Sequence, residues 1–463
     1  MKFSAQGLSA VGRELVAPFV VEVCLDPDES IVDQTTTELT FTDVARVLPG
    51  RRVSGLATHA GEVVFAKMFY GDNARRYWQR ELVGARRLQS ANVNTPQVLA
   101  TGASADGEGF VVLFEPLHEP HNLADGDLED MLAAVQLLAD MHDASLIQTD
   151  VHIFNFLRYE GKYFAIDTDG IRRAHLLRQH FANLAMLLAQ RAPVADVDID
   201  DVWAAYSAAR GAYVSRMGSA EQLRKLTAAA RQQRVRRYLK KTQRQCTEFV
   251  HQKNFRFNFL CDRDHFSQLQ RFMLFPESFV GDGTPLKLGN SSTVVRIHVE
   301  GVPYIVKRYN IKGPLHRVRR WFKKRARNAW CNGHLLAFLN IATAKPVALL
   351  ELRWGWFNDV CYLVMPDCGD RNLGQALVNR PEEIAQLAAP TLDVLRGLKA
   401  AGLQHGDLKA TNFVIDESLV RLIDYDAVQT GSNASDLRRF LANWEDQPAL
   451  KAQWQQALVD AGL

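Results

Sequence analysis

The stretch "HGDLKATNFVID", residues 405–416, and the following "LIDYD", residues 422–426, place three oxygen-bearing side chains at fixed spacing. Asp407 lies five residues before Asn412 and seventeen before Asp424. Carboxylate and amide oxygens are the hard ligands that Mg²⁺ prefers. Phosphoryl transfer requires such an ion, a carboxylate near the attacking hydroxyl and a cation on the phosphates. The spacing therefore predicts a phosphoryl-transfer site in this part of the chain.

Each of these side chains has a role that suits its chemistry. Asp407 can accept or orient the proton of a substrate hydroxyl, which is worth roughly 10²–10⁴ in rate. Lys409, two residues later, can neutralise the charge that develops on the transferring phosphate. We predict that Asp407 and Lys409 are catalytic and that Asn412 and Asp424 bind Mg²⁺.

The first half of the chain repeats this spacing in a divergent form. "QTDVHIFNFLRY", residues 148–159, and "IDTDG", residues 166–170, place Asp150, Asn155 and Asp167 257 residues before their counterparts. A repeat of this length indicates a duplicated domain rather than a solenoid unit. We predict Asp150 as the catalytic residue of the first half and Asn155 and Asp167 as its metal ligands.

Each half also carries an apolar strand pattern that contains a lysine. "EVVFAKMF" includes Lys67, and "VPYIVKRY" includes Lys307. The loop "LGNSSTV" precedes the second of these strands and offers backbone N–H groups and hydroxyls to phosphates. We therefore predict that both lysines bind nucleotide, together with three residues of this loop, namely Gly289, Ser291 and Ser292.

Length and composition favour two soluble globular domains. The chain has 463 residues, of which 47% are hydrophobic and 23% are charged, with a net charge of +3, and a chain of this length exceeds one ordinary core. Its six cysteines form no CxxC pair, which favours a reducing compartment. We predict domains at 1–240 and 245–463, joined by a basic helix over 220–245, and a cytoplasmic protein that binds no nucleic acid.

Both halves of the chain resemble the bacterial lipopolysaccharide kinase family. The stretches that carry the resemblance are "HGDLKATNFVID", "LIDYDAV" and "TAKPVALLE" in the second half and "QTDVHIFNFL" and "AIDTDG" in the first. The resemblance implies an α+β fold of two tandem protein-kinase-like domains, each with a small β-rich N-lobe and a mainly helical C-lobe. It also implies ATP with Mg²⁺ as cofactors. The implied acceptor is a heptose or Kdo sugar of a lipopolysaccharide core precursor.

Neither half keeps the whole kinase pattern, in which the strand lysine pairs with a glutamate of the next helix. The first half offers Glu81 to Lys67, but has His152 where the second half has Lys409. The second half has no acid from 308 to 345, and the position equivalent to Glu81 falls near Ala329. Asp426, the second acid of "DYD", is open to two interpretations, a third metal-facing carboxylate or an exposed acid.

A basic segment, residues 307–327, follows the second strand lysine and contains ten Lys and Arg residues. It is open to two interpretations. One is a solvated helix face. The other is contact with the anionic inner face of the inner membrane, where each basic residue contributes about 1 kcal/mol. The second interpretation involves five residues in particular, namely Arg317, Arg319, Arg320, Lys323 and Lys324.

Three hypotheses remain for the function. The first is a lipopolysaccharide core sugar kinase with the C-terminal half as the catalyst, because that half keeps the full "HGDLKxxN" pattern and the later aspartate. Only 39 residues follow Asp424, which leaves little room for a peptide-binding subdomain. The second is an antibiotic-type small-molecule phosphotransferase. The third is a pseudokinase scaffold for core assembly.

Overall fold

The computed structural model describes residues 1–26, 36–123, 127–289, 291–310, 325–354, 357–417 and 419–463. The chain forms two compact units, one of residues 1–190 with 197–230 and one of residues 191–196 with 231–463. The division falls inside the basic helix Ala220–Lys241, earlier than the boundary predicted from the sequence.

The last turns of this helix belong to the second unit because Tyr238 packs there. Its ring stacks on Phe338 with the centroids 4.5 Å apart, and its hydroxyl lies 3.1 Å from Nδ1 of His334. The end of the basic helix that was predicted to join the two domains therefore contributes to the hydrophobic core of the second unit.

The first unit begins with a β-rich part and ends with helices. Its strands are β1 (Lys2–Phe3), β2 (Phe19–Asp26), β3 (Thr36–Phe41), β4 (Arg46–Leu48), β5 (Arg52–His59), β6 (Glu62–Phe69), β7 (Val98–Ser104), β8 (Phe110–Phe114), β9 (His121–Asn122), β10 (Leu146–Gln148), β11 (Phe156–Tyr159), β12 (Lys162–Ala165) and β13 (Ile171–Arg173). Its helices are α1 (Ala5–Val11), α2 (Ala74–Ser90), α3 (Leu128–Asp143), α4 (Leu177–Leu188), α5 (Ile199–Arg210), α6 (Ala212–Met217) and α7 (Ala220–Lys241). The large sheet has the order β1-β2-β3-β5-β6-β8-β7, and β7 also pairs with β2, which closes the sheet on itself.

The second unit follows the same plan. Its strands are β14 (Phe249–Lys253), β15 (Phe257–Asp262), β16 (Thr284–Leu288), β17 (Ser292–Val299), β18 (Val302–Tyr309), β19 (Ala348–Trp354), β20 (Phe357–Pro366), β21 (Leu403–Gln404), β22 (Phe413–Asp416), β23 (Leu419–Leu422) and β24 (Gln429–Thr430). Its helices are α8 (Arg263–Leu274), α9 (Pro276–Asp282), α10 (Arg325–Phe338), α11 (Leu373–Asn379), α12 (Ile384–Ala400), α13 (Ala434–Ala442) and α14 (Pro448–Asp460). Its large sheet has the order β14-β15-β19-β20-β18-β17-β16.

The repeat that the motifs predict extends to the strand pairing. The first unit pairs β5-β6-β8-β7 and the second pairs β17-β18-β20-β19. In both units the second strand of the series carries the lysine and a helix follows it. Short hairpins, β11 with β12 and β22 with β23, then precede Asp167 and Asp424. The mixture of sheet and helix confirms the α+β class.

Alternation along the two lysine strands decides which side chains enter the cores. In β6, Val64, Ala66 and Met68 are buried in the sheet core, whereas Phe65 and Lys67 line a cavity on the opposite face. Successive side chains of a strand point to opposite faces. One strand therefore contributes side chains both to the core and to a cavity.

Among the described residues, the helices are all too short or too polar to cross a lipid bilayer.

Candidate active sites in the two units

The first unit contains a cavity of about 420 Å³ below strand β6. Four of the residues predicted for the first-half site lie in its wall, namely Lys67, Glu81, Asn155 and Asp167. The fifth, Asp150, is exposed and does not line the cavity. Its backbone carbonyl accepts a hydrogen bond from Nδ2 of Asn155 at 3.1 Å, so the two residues share one loop.

The second unit has a matching cavity of about 440 Å³ below strand β18. Of the predicted residues, Lys307, Ser292, Asn412 and Asp424 line it. Asp407 belongs to the adjoining loop, and its carbonyl accepts a 2.8 Å hydrogen bond from Nδ2 of Asn412. The second-half motif thus converges on one cavity, as the first-half motif does.

The loops that carry the aspartates have the same backbone construction in both units. Asp167 and Asp424 adopt the left-handed conformation, with φ of 59° and 61°. Each lies two residues after the second strand of a hairpin, β12 or β23. Left-handed backbone is tolerated better by Asp than by most residues. The aspartate at this position therefore also serves the turn.

Behind this turn, the residue that begins each motif acts as a brace. Nε2 of His405 lies 3.1 Å from the carbonyl of Ile423. In the first unit, Gln148 donates to the equivalent carbonyl of Ile166 at 2.9 Å. Both side chains are buried, and burial lowers the pKa of His405. The exchange of histidine for glutamine thus preserves a structural hydrogen bond.

In the first unit the strand lysine is paired with the helix glutamate. Nζ of Lys67 lies 2.5 Å from Oε1 of Glu81, which is fully buried in helix α2. Thr168 donates to the same oxygen through its hydroxyl at 3.1 Å. Gly84 makes this closeness possible, because a Cβ at that position would lie 1.8 Å from the carbonyl oxygen of Thr168. The helix and the turn after Asp167 therefore fix Lys67 together.

In the second unit the corresponding lysine has different partners. Nζ of Lys307 lies 2.6 Å from Oδ1 of Asp424 and 2.9 Å from Oδ1 of Asp426. The hydroxyl of Tyr309 donates to Asp426 at 2.9 Å, and Arg325 bonds its other oxygen at 3.0 Å. Asp426 is thus largely buried and paired, so it is not an exposed acid, and it lines the same cavity as Asp424. It takes the place of the missing helix glutamate.

Two cations flank the predicted catalytic carboxylate. Lys409 bonds Asp407 at 3.0 Å, as its position two residues later allows. Nη1 of Arg439 bonds Asp407 at 2.8 Å. The same helix, α13, supplies buried Asp436, which accepts a 3.0 Å hydrogen bond from the N–H of Gly406. Sequence reasoning missed both helix residues, because the motif contains no signal for partners that lie about thirty positions away.

The loop predicted to hold phosphates is only partly placed at the second cavity. Ser292 lines the cavity, together with Lys287 of β16, which the sequence did not single out. Gly289 and Ser291 are outside its wall. Their backbone carbonyls accept hydrogen bonds from Asn310, at 3.0 Å and 3.1 Å respectively.

The five basic residues of the membrane hypothesis, 317, 319, 320, 323 and 324, lie outside the described residues.

The second unit fits a divalent ion. Asn412 uses its amide nitrogen for the carbonyl of Asp407, which leaves the amide oxygen for a ligand. Lys307 bonds one oxygen of Asp424, and the other remains for a metal. Burial alone would raise the pKa of Asp424, but the charge of Lys307 and its hydrogen bond lower it, so the carboxylate is ionised.

The first unit does not fit such an ion in the same way. Oδ1 of Asp167 lies 3.2 Å from Nη1 of Arg52 and 3.6 Å from Nζ of Lys67. Burial would raise the pKa of Asp167, but the charges of Lys67 and Arg52 outweigh it and hold the pKa at about 2. Oδ1 of Asp167 therefore has two cations beside it, whereas Lys307 is the cation beside Oδ1 of Asp424.

No protein-family model and no curated protein matches the chain. Among solved structures it is similar to WaaP in complex with acyl carrier protein, at 19% identity and a TM-score of 0.28, over 42% of this chain and 87% of that chain. It is also similar to a rhoptry kinase from Toxoplasma gondii, at 14% identity and a TM-score of 0.26, over 37% of this chain and 56% of the kinase. A further kinase domain matches at 14% identity and a TM-score of 0.24, over 32% of this chain and 50% of that domain. Kinases are thus among the structural neighbours, but at these scores the likeness carries no weight for the activity.

Proposed function

We propose that the chain consists of two tandem protein-kinase-like domains and that the second is an ATP-dependent kinase. Its substrate is a heptose or Kdo hydroxyl of a lipopolysaccharide inner-core precursor. The protein then works in the cytoplasm, at the inner face of the inner membrane. The resemblance of the two Asp motifs to the lipopolysaccharide kinase family supports the choice of acceptor.

One observation carries the proposal. A strand lysine, an amide oxygen and an ionised carboxylate meet at one cavity of the second unit, in Lys307, Asn412 and Asp424. The catalytic loop begins beside it, because Asn412 is bonded to the backbone of Asp407. These are the groups that phosphoryl transfer requires, in the order in which kinases supply them.

Each side chain has a defined task in this site. Asn412 and Asp424 hold Mg²⁺, which when bound neutralises the charge of the phosphates. Lys307 binds the phosphate tail of the nucleotide. Asp407 accepts the proton of the sugar hydroxyl, and its two cationic neighbours, Lys409 and Arg439, keep the carboxylate in place. Preorganised charge of this kind supplies most of the rate in sites of this class.

A helix that follows the turn at Asp424 supports the proposed catalytic loop. After the turn at Asp424 the described residues form two short helices, α13 and α14, of nine and thirteen residues. The first of them is committed to the catalytic loop, because it provides Arg439 to Asp407.

The test combines mass analysis of core oligosaccharide with an assay in solution. Cells carry the wild-type chain, Asp407→Ala or Asp150→Ala, and the purified proteins receive ATP, Mg²⁺ and dephosphorylated core oligosaccharide. We expect Asp407→Ala to remove one phosphate from the core and Asp150→Ala to keep it. Loss in Asp150→Ala alone would move catalysis to the first unit.

An unchanged core in both variants would remove the proposal. Nucleotide binding without turnover would then favour the pseudokinase scaffold. One structural observation motivates that second candidate, since Lys307 is bonded to the metal-binding aspartate itself and not to a helix glutamate. The assay in solution separates the two candidates, because a scaffold produces no ADP at any acceptor concentration.

A further inference from the structure

The cavity of the first unit combines an apolar wall with a cluster of cations. Phe65, Phe114 and Ile166 provide apolar surface, and Arg46, Arg52 and Lys67 lie in the same wall. Apolar surface beside a few charged groups is typical of sites for small ligands. The wall also contains four carboxylates, those of Glu81, Glu115, Glu119 and Asp167. The apolar surface suits a flat apolar group, and Arg46, Arg52 and Lys67 offer contacts to an anionic tail.

Arg52 occupies the centre of this cluster. Its side chain is 6% exposed, and its Nη1 lies 3.2 Å from Asp167 and 3.6 Å from Oε2 of Glu81. The guanidinium thus bridges the carboxylate of the metal-binding motif and that of the helix glutamate. A buried arginine in this position supplies a fixed positive charge, because it stays protonated at any accessible pH.

Three carboxylates of the first unit lie close together, and each of them is paired with a side-chain cation. Oxygens of Glu81, Asp167 and Asp169 lie within 4.8 Å of one another. Glu81 is paired with Lys67 at 2.5 Å and Asp169 with Arg51 at 2.9 Å. Asp167 is paired with Arg52. The charge of each carboxylate is thus already compensated by a neighbouring cation, so the three carboxylates attract a divalent ion less than unpaired carboxylates would.

The strand register shows what the second unit has at the same place. Arg52 pairs with Phe69, two residues after Lys67. Ser292 pairs with Tyr309, two residues after Lys307. The arginine of the first unit therefore corresponds to a serine in the second, so the second unit has no guanidinium at this strand position.

We propose that the first unit binds a nucleoside polyphosphate without a divalent metal, with the guanidinium of Arg52 in the place of the ion. Arginine binds phosphate oxygens in bidentate fashion, and Lys67 and Arg46 supply the further charge that a polyphosphate requires. The site is separate from the proposed kinase activity of the second unit, and it stands if that activity fails.

The test counts binding sites on the full-length chain. Isothermal titration with ADP and with ATP is done once in EDTA and once in excess Mg²⁺. We expect one equivalent per chain in EDTA, with a Kd within threefold of its value in Mg²⁺, and a second equivalent only in Mg²⁺. Lys67→Met should remove the EDTA-resistant equivalent, and Lys307→Met should keep it.

A pair of exchanges tests the role of Arg52 itself. Arg52→Ser gives the first unit the residue of the second, and we expect binding in EDTA to weaken at least tenfold and Mg²⁺ to restore part of it. Arg51→Ser is the matched control, because Arg51 pairs with Asp169 and lies outside the cavity wall. It should weaken binding less than threefold.

Three results would overturn the proposal. One is that no nucleotide binds in EDTA. Another is that EDTA-resistant binding survives Lys67→Met and is lost in Lys307→Met, which assigns it to the second unit. The third is that Arg52→Ser and Arg51→Ser behave alike. The first two comparisons need only the wild-type chain and lysine variants, so they decide the matter even if Arg52→Ser does not fold.

Discussion

Nζ of Lys307 lies 2.9 Å from Oδ1 of Asp426, so the strand lysine of the second unit is bonded to the aspartate two residues after Asp424, the proposed metal ligand. In the first unit this task belongs to Glu81 of helix α2. The described part of the equivalent helix, α10, has no acidic residue. The carboxylate that pairs with the strand lysine thus lies on a helix in the first unit and on the loop of the proposed metal ligand in the second.

Asp426→Asn tests whether this carboxylate positions Lys307. We expect kcat/KM for ATP to fall about tenfold to a hundredfold, because a hydrogen bond to a charged group contributes about 1.5–3 kcal/mol. Most of the loss should appear in KM for ATP, and Asp426→Glu should recover part of it. Steady-state kinetics at several ATP concentrations measures both parameters.

The matched control is Asp393→Asn, which removes an aspartate from an exposed ion pair with Arg396 on the surface of the same unit. Exposed pairs contribute little, so this variant should have wild-type kinetics. Equal kinetics for Asp426→Asn and Asp393→Asn would contradict the positioning role.

Local spacing was sufficient to predict the parts of the structure that lie close in sequence. Asp407 and Asn412 are five residues apart, and the structure joins them by a hydrogen bond within one loop. The alternation in "EVVFAKMF" predicted a strand, and β6 has these bounds. Alternating side chains also explain why Lys67 leaves the core for the cavity, since Ala66 and Met68 are buried on the opposite face.

Contacts between distant elements could not be predicted in this way. Asp426 reaches Lys307 across 119 positions, and Arg439 reaches Asp407 from a helix 32 positions later. No periodicity specifies such pairs, because they depend on how the hairpins and helices pack. Arg52 is a similar case, since an arginine at the start of a strand is usually exposed.

Arg439→Gln tests whether the last helices hold the catalytic carboxylate. We expect kcat to fall about tenfold or more with an unchanged KM for ATP, because the guanidinium bonds Asp407 at 2.8 Å and loss of a charge-assisted hydrogen bond costs about 1.5 kcal/mol or more. Arg439→Lys should recover part of the rate. Arg396→Gln, on the surface of α12, is the matched control, and a KM effect equal to the kcat effect would argue against a role in orientation.

Gly333→Ala tests the close approach of helix α10 to the turn after Asp424. A Cβ at Gly333 would lie 2.4 Å from Cδ of Pro346 and 2.8 Å from the ring of Tyr425. We expect a loss of about 1–3 kcal/mol in the free energy of unfolding, which is the usual cost of overpacking a core. Urea denaturation measures this loss.

The control for this substitution is Gly281→Ala in helix α9, where nothing lies within 4 Å of the added Cβ. Alanine in a helix is favoured over glycine by up to about 1 kcal/mol, so this variant should be as stable as the wild type or slightly more stable. If both alanine variants have the same stability, the close approach is not a constraint on the fold.

His334 should make the second unit sensitive to acid. Burial, and to a smaller extent the charge of Lys345, lowers its pKa to about 3, and the unfolded chain has a histidine pKa of about 6.5. Below pH 6.5 the unfolded state takes up the proton first, so the free energy of unfolding falls by about 1.4 kcal/mol per pH unit from this residue alone, down to about pH 3. Above pH 6.5 the contribution is constant. We expect His334→Gln to reduce the difference in the free energy of unfolding between pH 7 and pH 5 by about 2 kcal/mol. Urea denaturation at the two pH values measures this difference. The variant is expected to be less stable at pH 7, because Tyr238 loses its hydrogen-bond partner at 3.1 Å. The control is His298→Gln, which changes an exposed histidine of β17 and should keep the wild-type pH dependence of stability. If His334→Gln also has the wild-type pH dependence, the buried imidazole is not its cause.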